Sequence, residues 1–301
     1  MSATLSLPDL ATWSFRGTAL AVLGQPIEHS ISPAMHNAAL AALAVTDDRF
    51  ASWRYFRFEI APDELPEALP RFHAAGFHGL NLTVPHKILA CDCIERIDTS
   101  ARPAGAVNTL RRTPTGWEGF NTDGYGLAAA VAETLRHQLA DRDIILLGAG
   151  GAARGAAVEC LQRGCRSLAI GNRTAARTDA LCAALQPLAP GIPVRGFDPA
   201  TPPRDLPRDA LVINATSAGL KPEDAAPVDL RQLPVVAAVY DMIYNPPLTP
   251  LLAQAKALGV PQANGLSMLV YQGARALELW TGAEAPVEVM LQAARSALQS
   301  R

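Results

Sequence analysis

Lysine is nearly missing from this 301-residue chain: Lys87, Lys221 and Lys256 are its only three, against twenty-three arginines. The formal net charge is −2, and no lysine-rich run or basic stripe offers what a phosphate backbone requires, which argues against a nucleic-acid partner. No apolar run approaches the length needed to cross a bilayer. The N-terminus, Met1-Ser-Ala-Thr-Leu-Ser-Leu-Pro8, lacks a basic segment followed by an apolar one. A cytoplasmic protein with no membrane partner is the expectation. Cysteine is sparse too: five residues (Cys91, Cys93, Cys160, Cys165, Cys182), at spacings of neither a zinc site nor a Cys-x-x-Cys pair, read as small buried apolar side chains. Six histidines without an H-E-x-x-H cluster complete the expectation of no metal.

What is present is a globular composition, 49% hydrophobic and 18% charged, in a chain long enough for two domains. Residues 19–24 form a short apolar strand stopped by glycine, and Ser32 before Pro33 reads as the N-cap of a helix that continues through Leu43. Ser30 and Ser32 thus lie at a helix N-terminus, where backbone N–H groups and the dipole favour an anion. Capping and loop-filling are the structural alternative for the two. Residues 55–60 alternate apolar and polar as a half-buried strand does. A helix then opens at residues 62–66 and ends near Gly76, and residues 79–84 form the next strand. A helix over about 86–96 follows. Strand and helix in alternation give an α/β pattern with a largely parallel sheet.

In Asn81-Leu-Thr-Val-Pro-His-Lys87, Asn81 and Thr83 share one face of a strand, and Lys87 follows in the first helical turn. Lysine, unlike arginine, can be tuned to exchange a proton, and a chain that writes arginine almost everywhere has lysine here. Residues 104–110 read as a strand, and Asn121-Thr-Asp-Gly124 opens a helix over 125–140, with Asp123 either its N-cap or a functional carboxylate.

A buried strand at 143–147 runs into Gly148-Ala-Gly-Gly-Ala-Ala153 and an alanine-rich helix over 154–163. Gly148, Gly150 and Ala153 fit the G-x-G-x-x-A dinucleotide fingerprint in its required strand-to-helix setting, with Ala149, Gly151 and Ala152 in the same turn. The strand over 167–170 ends in Asn172, Arg173 and Thr174, with Arg177 a turn later, where an NAD site would place an acid. Two guanidinium groups and a hydroxyl suit a 2′-phosphate, so the expected cofactor is NADP(H). The segment over 189–207 reads as an irregular edge. Strands at 210–215 and 235–240 lead into loops carrying Thr216 and Ser217, then Met242 and Tyr244, both aimed at the nicotinamide end. A helix over 249–258 ends at Gly259. Gln272 is a buried amide within the apolar helix over 268–280, either a structural hydrogen bond or a ligand contact.

Taken together the chain resembles the shikimate dehydrogenase family. The resemblance runs from Gly24 to the C-terminal helices through nine motifs in family order: His29-Ser-Ile-Ser-Pro33, Asn81-Leu-Thr-Val-Pro-His-Lys87, Ala104-Gly-Ala-Val-Asn-Thr109, Asn121-Thr-Asp-Gly124, Gly148-Ala-Gly-Gly-Ala152, Asn172-Arg-Thr174, Asn214-Ala-Thr-Ser217, Tyr240-Asp-Met-Ile-Tyr244 and Gly265-Leu-Ser-Met-Leu269. It implies an α/β fold of two domains. One is a discontinuous substrate-binding domain, residues 1–122 plus 264–301, and the other a doubly wound Rossmann NADP domain, residues 123–263, with a cleft between them.

The implied reaction is reversible reduction of 3-dehydroshikimate to shikimate by NADPH, in aromatic amino acid biosynthesis. The resemblance also implies Lys87 and Asp123 as the catalytic pair, and Ser30, Ser32 and Tyr244 at the substrate carboxylate. Asn81, Thr83, Asn108 and Gln272 would hold ring hydroxyls, and Thr216, Ser217, Met242 and Gly265 the cofactor. The expected partner is a small molecule, the assembly a monomer or homodimer. Ser267 stands where many members carry a second glycine, and Tyr125 enlarges the residue after Asn-Thr-Asp-Gly; both bear on a quinate preference. A non-catalytic NADP-dependent sensor is the alternative of another class, and the joint presence of Lys87 and Asp123 argues against it.

Overall fold

The computed structural model describes residues 3–99, 101–221 and 223–300. The chain divides into two compact units, Met1–Thr122 with Val270–Arg301, and Asp123–Leu269. The architecture is α/β, with one sheet in each unit.

The first unit contains β1 (Leu5–Ser6), β2 (Thr18–Gly24), α1 (Ser32–Leu43), β3 (Trp53–Glu59), α2 (Leu65–Ala74), β4 (Gly79–Leu82), α3 (His86–Leu89), β5 (Arg96–Ile97), β6 (Thr109–Arg112) and β7 (Trp117–Phe120). Its sheet runs β1-β3-β2-β4-β6-β7-β5. The first four strands are parallel, whereas β6 pairs antiparallel with both β4 and β7. The sheet is therefore mixed but still largely parallel, since β5 also pairs parallel with β7. Expected helix and strand lengths also shrink here. The helix at His86 closes after one turn into a 3-10 turn at Ala90–Asp92, and residues 104–108 are turn and coil, with β6 starting only at Thr109.

The second unit contains α4 (Asp123–Leu135), β8 (Asp143–Leu147), α5 (Gly151–Gln162), β9 (Ser167–Gly171), α6 (Ala175–Leu185), β10 (Val194–Phe197), β11 (Ala210–Asn214), β12 (Val236–Asp241), α7 (Pro250–Ala257), β13 (Gln262–Asn264) and the start of α8 (Leu266–Thr281). α4 stops at Leu135, short of residue 140, and Arg136 takes a φ of 59°. The sheet runs β10-β9-β8-β11-β12-β13 with every pair parallel, the doubly wound order whose reversal between β8 and β11 opens a crevice at their carboxyl ends. The proline-rich segment thus contributes β10, an edge strand, as proline in sequence neighbours allows at a sheet margin. α8 ends in the first unit, followed by α9 (Val287–Gln299).

Residues 144–147 of β8 and 211–213 of β11 are unbroken Ile, Leu and Val, because helices cover both faces of a parallel sheet. Under the first sheet, Phe58, Phe72 and Phe77 are fully buried and meet edge to face, with ring centroids 4.8–5.7 Å apart. Cys160 and Cys165 are buried, but Cys91, Cys93 and Cys182 are only half-buried; all five are free thiols. Among the described residues no helix is long and apolar enough to cross a membrane, and no group of three or more His, Cys, Asp or Glu gathers that could hold a metal ion.

On the other face of the first sheet lies His36 of α1. It is wholly buried, both ring nitrogens lack a hydrogen-bond partner, and its ring stacks on Tyr55 at 4.2 Å and 5°. Burial disfavours the imidazolium and pushes its pKa down to about 3 from 6.5. Between those values the unfolded chain binds a proton that the folded chain refuses, so stability falls as pH falls. In this window the wild type should lose stability faster on acidification than His36→Phe, by about 1.4 kcal/mol per pH unit. Urea unfolding at a series of pH values reads the slopes, and parallel curves for the two proteins would refute the assignment.

Candidate functional site

Most of the residues that the sequence singled out lie near the carboxyl end of a strand or at the helix start beyond it; Asn108, in the coil before β6, and Gln272, within α8, do not. In the first unit, β2 ends at Gly24 and the chain crosses to α1. Ser32 is the first residue of α1 and not its cap: the preceding residue, Ile31, already has helical dihedrals of −91° and −1° and supplies no side-chain cap. Ser30 does that work instead, its Oγ accepting from the Ser32 N–H at 3.3 Å. The two hydroxyls are coupled through one turn, and both side chains are half-buried.

Asn81 on β4 is 6% exposed and Asn108 is 1% exposed. The Tyr55 hydroxyl donates to Asn81 Oδ1 at 2.7 Å, which fixes the orientation of the amide. Its Nδ2 then donates to the Asn108 carbonyl at 3.1 Å and to Thr109 Oγ1 at 3.0 Å. Asn108 Nδ2 donates to Thr122 Oγ1 at 2.9 Å and to Gln272 Oε1 at 3.2 Å, while its Oδ1 accepts from the Thr122 N–H at 2.8 Å. Gln272, expected to be buried, is half-buried. Asn81, Asn108 and Gln272 are thereby brought into one hydrogen-bonded group, with Tyr55, Thr109 and Thr122 added by the fold. Thr83 follows β4, its N–H bonded to the Leu23 carbonyl at 3.0 Å, and is half-buried. Lys87 is the second residue of α3, and its carbonyl accepts from the Val107 N–H at 2.8 Å, tying the short helix to the coil before Asn108.

In the second unit Asp123 is the first residue of α4, a half-buried carboxylate in its first turn. Gly148, Ala149, Gly150, Asn172, Arg173, Arg177, Thr216 and Ser217 line a single cavity of about 540 Å³ beyond the carboxyl ends of β8, β9 and β11. Gly148 has a φ of +115°, a conformation that L side chains rarely adopt, and a Cβ there would press on the Ala215 carbonyl at 3.1 Å. Gly150 is different. Its backbone is extended and a Cβ would meet nothing within 4 Å, so a side chain there would point into open space at the start of α5. Gly151 and Ala152 are exposed in the first turn of α5, whose cap Gly150 leaves the leading N–H groups without a side-chain partner. Thr174 precedes α6, its carbonyl accepting from Asn172 Nδ2 at 3.0 Å, which orients the loop carrying Arg173. A cavity edged by backbone N–H groups, two guanidiniums and hydroxyls fits a phosphorylated dinucleotide.

The loops after β11 and β12 are joined by a pair of buried side chains to which the motif reading gave no role. Asn214 Nδ2 donates to Asp241 Oδ1 at 2.9 Å, and Asn214 Oδ1 accepts from the Thr216 N–H at 3.0 Å and hydroxyl at 2.8 Å. Asp241 also accepts from the Ile243 N–H at 3.0 Å and the Thr249 hydroxyl at 2.6 Å. Burial raises the Asp241 pKa, and these three hydrogen bonds act against that rise. Met242 and Tyr244 are half-buried in the loop so held, and Gly265 packs against it, its N–H on the Ile243 carbonyl and its missing Cβ leaving room for the Met242 backbone. The signal available in the sequence was a polar residue closing each of two apolar strands; that the two stand opposite one another follows only from the register.

Comparison with known proteins gives three family matches along the chain: the shikimate dehydrogenase substrate-binding domain over residues 22–110, shikimate/quinate 5-dehydrogenase over 130–192, and the shikimate 5'-dehydrogenase C-terminal domain over 265–295. The NADP(+) shikimate dehydrogenase of Methanopyrus kandleri is 40% identical over 90% of this chain and 93% of its own. Among solved structures, the shikimate 5-dehydrogenase of Thermus thermophilus in complex with NADP(H) and shikimate is 34% identical with a TM-score of 0.81, covering 93% of this chain and 99% of its own. A ligand-free 5-ketofructose reductase of a Gluconobacter strain is 31% identical with a TM-score of 0.82, covering 94% and 99%.

The two glycines of the turn should separate in stability. Gly148→Ala should cost about 1–3 kcal/mol through forced backbone strain, whereas Gly150→Ala, at an unstrained cap position, should cost less than about 1 kcal/mol. Chemical denaturation of both variants checks this, and equal losses would contradict the geometry.

Proposed function

The chain belongs to the shikimate dehydrogenase family, and on that premise we propose that it reduces 3-dehydroshikimate to shikimate reversibly with NADPH. The observation that carries the cofactor half is the cavity in which the Gly148–Gly150 turn meets Asn172, Arg173, Arg177, Thr216 and Ser217. The turn's backbone is open to a pyrophosphate, and Arg173 and Arg177 offer the charge that a 2′-phosphate needs and that a 2′-hydroxyl does not. When bound, the reduced nicotinamide supplies the hydride.

The chain's own residues bind, orient and move the proton. We assign the Ser30 and Ser32 hydroxyls, with Tyr244, to the substrate carboxylate. The amide group built from Asn81, Asn108 and Gln272, with Thr83, is assigned to the ring hydroxyls. Its internal hydrogen bonds hold the donors and acceptors in fixed orientations before substrate arrives, which spares the ordering cost at binding. Lys87 is assigned to the oxygen that gains charge when the carbonyl is reduced. An ammonium there stabilises the developing oxyanion and gives up the proton that completes the alcohol. The Asp123 carboxylate is assigned to the same proton transfer. The cytoplasm is the proposed location, supported by five free thiols that an oxidising compartment would pair or modify.

The test is NADP reduction, followed by ultraviolet absorbance, with shikimate, quinate, 5-ketofructose reduction in the opposite direction, and no substrate. Turnover of shikimate with a clear preference for NADP over NAD is expected. A protein that binds NADP without oxidising shikimate would be a sensor, and one that prefers 5-ketofructose would follow the Gluconobacter enzyme instead. Lys87→Ala should lower kcat by about a hundredfold to ten-thousandfold, and unchanged turnover would remove the lysine from the reaction. Arg173→Ala should reduce the preference for NADP over NAD by about tenfold or more, read as the ratio of kcat/KM for the two cofactors.

A further inference from the structure

Arg57 is the buried cation that the motifs leave unused. It is a polar position in the alternation of β3, yet it is only 8% exposed, because α1 packs on β3, its His36 ring stacked on Tyr55 of the same face. Arg57 pairs with Val22 of β2, and Val22 pairs on its other side with Asn81 of β4. The three residues form one cross-strand row and share a face of the sheet, so Arg57 lies two strands, roughly 10 Å, from Asn81 on the same side. Tyr55, two residues earlier on β3, shares that face and reaches Asn81 directly.

A guanidinium withdrawn from water needs hydrogen-bond acceptors, and Arg57 finds them in the loop before α1. Its Nη1 donates to the Glu28 carbonyl and lies 3.5 Å from the Ser30 carbonyl. The C=O and N–H of a trans peptide point in opposite directions. Drawing the Glu28 and Ser30 carbonyls onto Arg57 therefore turns the N–H groups of His29 and Ile31 away from it. The same loop is closed from within by the Ser30 N–H on the Ile27 carbonyl at 2.9 Å and by the Ser32 N–H on Ser30 Oγ. Ser30 and Arg57 also line one cavity, of about 790 Å³, whose walls are the start of α1 (Ile31, Pro33, Asn37) and the C-terminal half of α9 with its cap (Ser296, Ser300). Within it the Asn37 amide is committed to the Tyr55 backbone on both sides, at 2.9 Å each, and among the described lining residues the guanidinium is the charged group.

Taking shikimate oxidation as the reaction, we infer that Arg57 is a positioning and specificity residue for the substrate carboxylate, acting through the Ser30–Ser32 loop. It holds the loop carbonyls back from the anion, presents the serine hydroxyls and the opposed N–H groups to it, and adds a positive charge that burial leaves poorly screened. The role is specific to a carboxylate: a substrate neutral at that position gains nothing from it.

The experiment compares shikimate with its methyl ester, which keeps the ring and hydroxyls and removes the charge, in wild type, Arg57→Gln and Arg57→Lys at saturating NADP. Arg57→Gln should raise KM for shikimate by about tenfold to a hundredfold. The kcat, the KM for NADP and the KM for the ester should stay within about threefold. Arg57→Lys, which restores the charge with a poorer donor geometry, should fall between. A parallel rise of KM for acid and ester would mark Arg57 as a structural residue only, and an unchanged acid-to-ester ratio would equally overturn the inference. If Arg57→Gln does not fold, as judged by its circular dichroism melt, the ratio is read from Arg57→Lys. Absence of shikimate turnover in wild type would instead overturn the proposed reaction, before any variant is made.

Discussion

Buried polar side chains that must be paired inside the protein set the shape of both functional surfaces. An amide or carboxylate removed from water costs several kcal/mol unless every donor and acceptor is met. In the first unit Asn81 and Asn108 meet that requirement in each other, in Tyr55 and in two threonines. In the second, Asn214 and Asp241 meet it across adjacent strands and in the loops that follow them. Each pair sits where a strand ends and function begins. Removing one member would strand the others, which is why the polar faces are rigid and not merely polar.

That rigidity has a chemical use. Reduction of a carbonyl needs a donor held where charge appears and a substrate that cannot turn away from it. The proposed contacts of the first unit hang from a mixed sheet whose row Arg57, Val22, Asn81 places a cation, a spacer and an amide at strand spacing. Those of the second hang from a wholly parallel sheet, where consecutive strand ends deliver Gly148, Asn172, Thr216 and Met242 to one edge. The first arrangement is the one proposed to hold a small hydroxylated acid. The second has the form that a phosphorylated dinucleotide fits.

Much of this was legible along the chain. Helix and strand periods placed most of the elements, and the glycine turn with Arg173 beyond it pointed to NADP because each residue acts through its own backbone or charge. Misreadings share a cause. Ser32 looks like a cap by residue type, but Ile31 already adopts helical dihedrals and the capping role passes to Ser30. Residues 104–107 have strand composition but are turn and coil, Asn108 alone bonding to β4 and β7 ahead of Thr109, and the helix at His86 stops after one turn although its residues favour more. In each case the local preference was real and the path of the surrounding backbone overrode it: the Ser30 hydroxyl caps at Ser32, and the Val107 N–H takes the Lys87 carbonyl beside the short helix.

Residue type and spacing by themselves determined the α/β class, the doubly wound second half, the cofactor's phosphate chemistry and the family, since these depend on short segments whose physics is local. Tertiary structure alone decided which polar groups are paired and which way they face. That Tyr55 orients Asn81, that Asn214 bonds Asp241, and that Arg57 faces inward behind Ser30 are all consequences of strand register. Register is a relation between segments distant in the chain, and a shift of one residue would turn every one of these side chains to the opposite face.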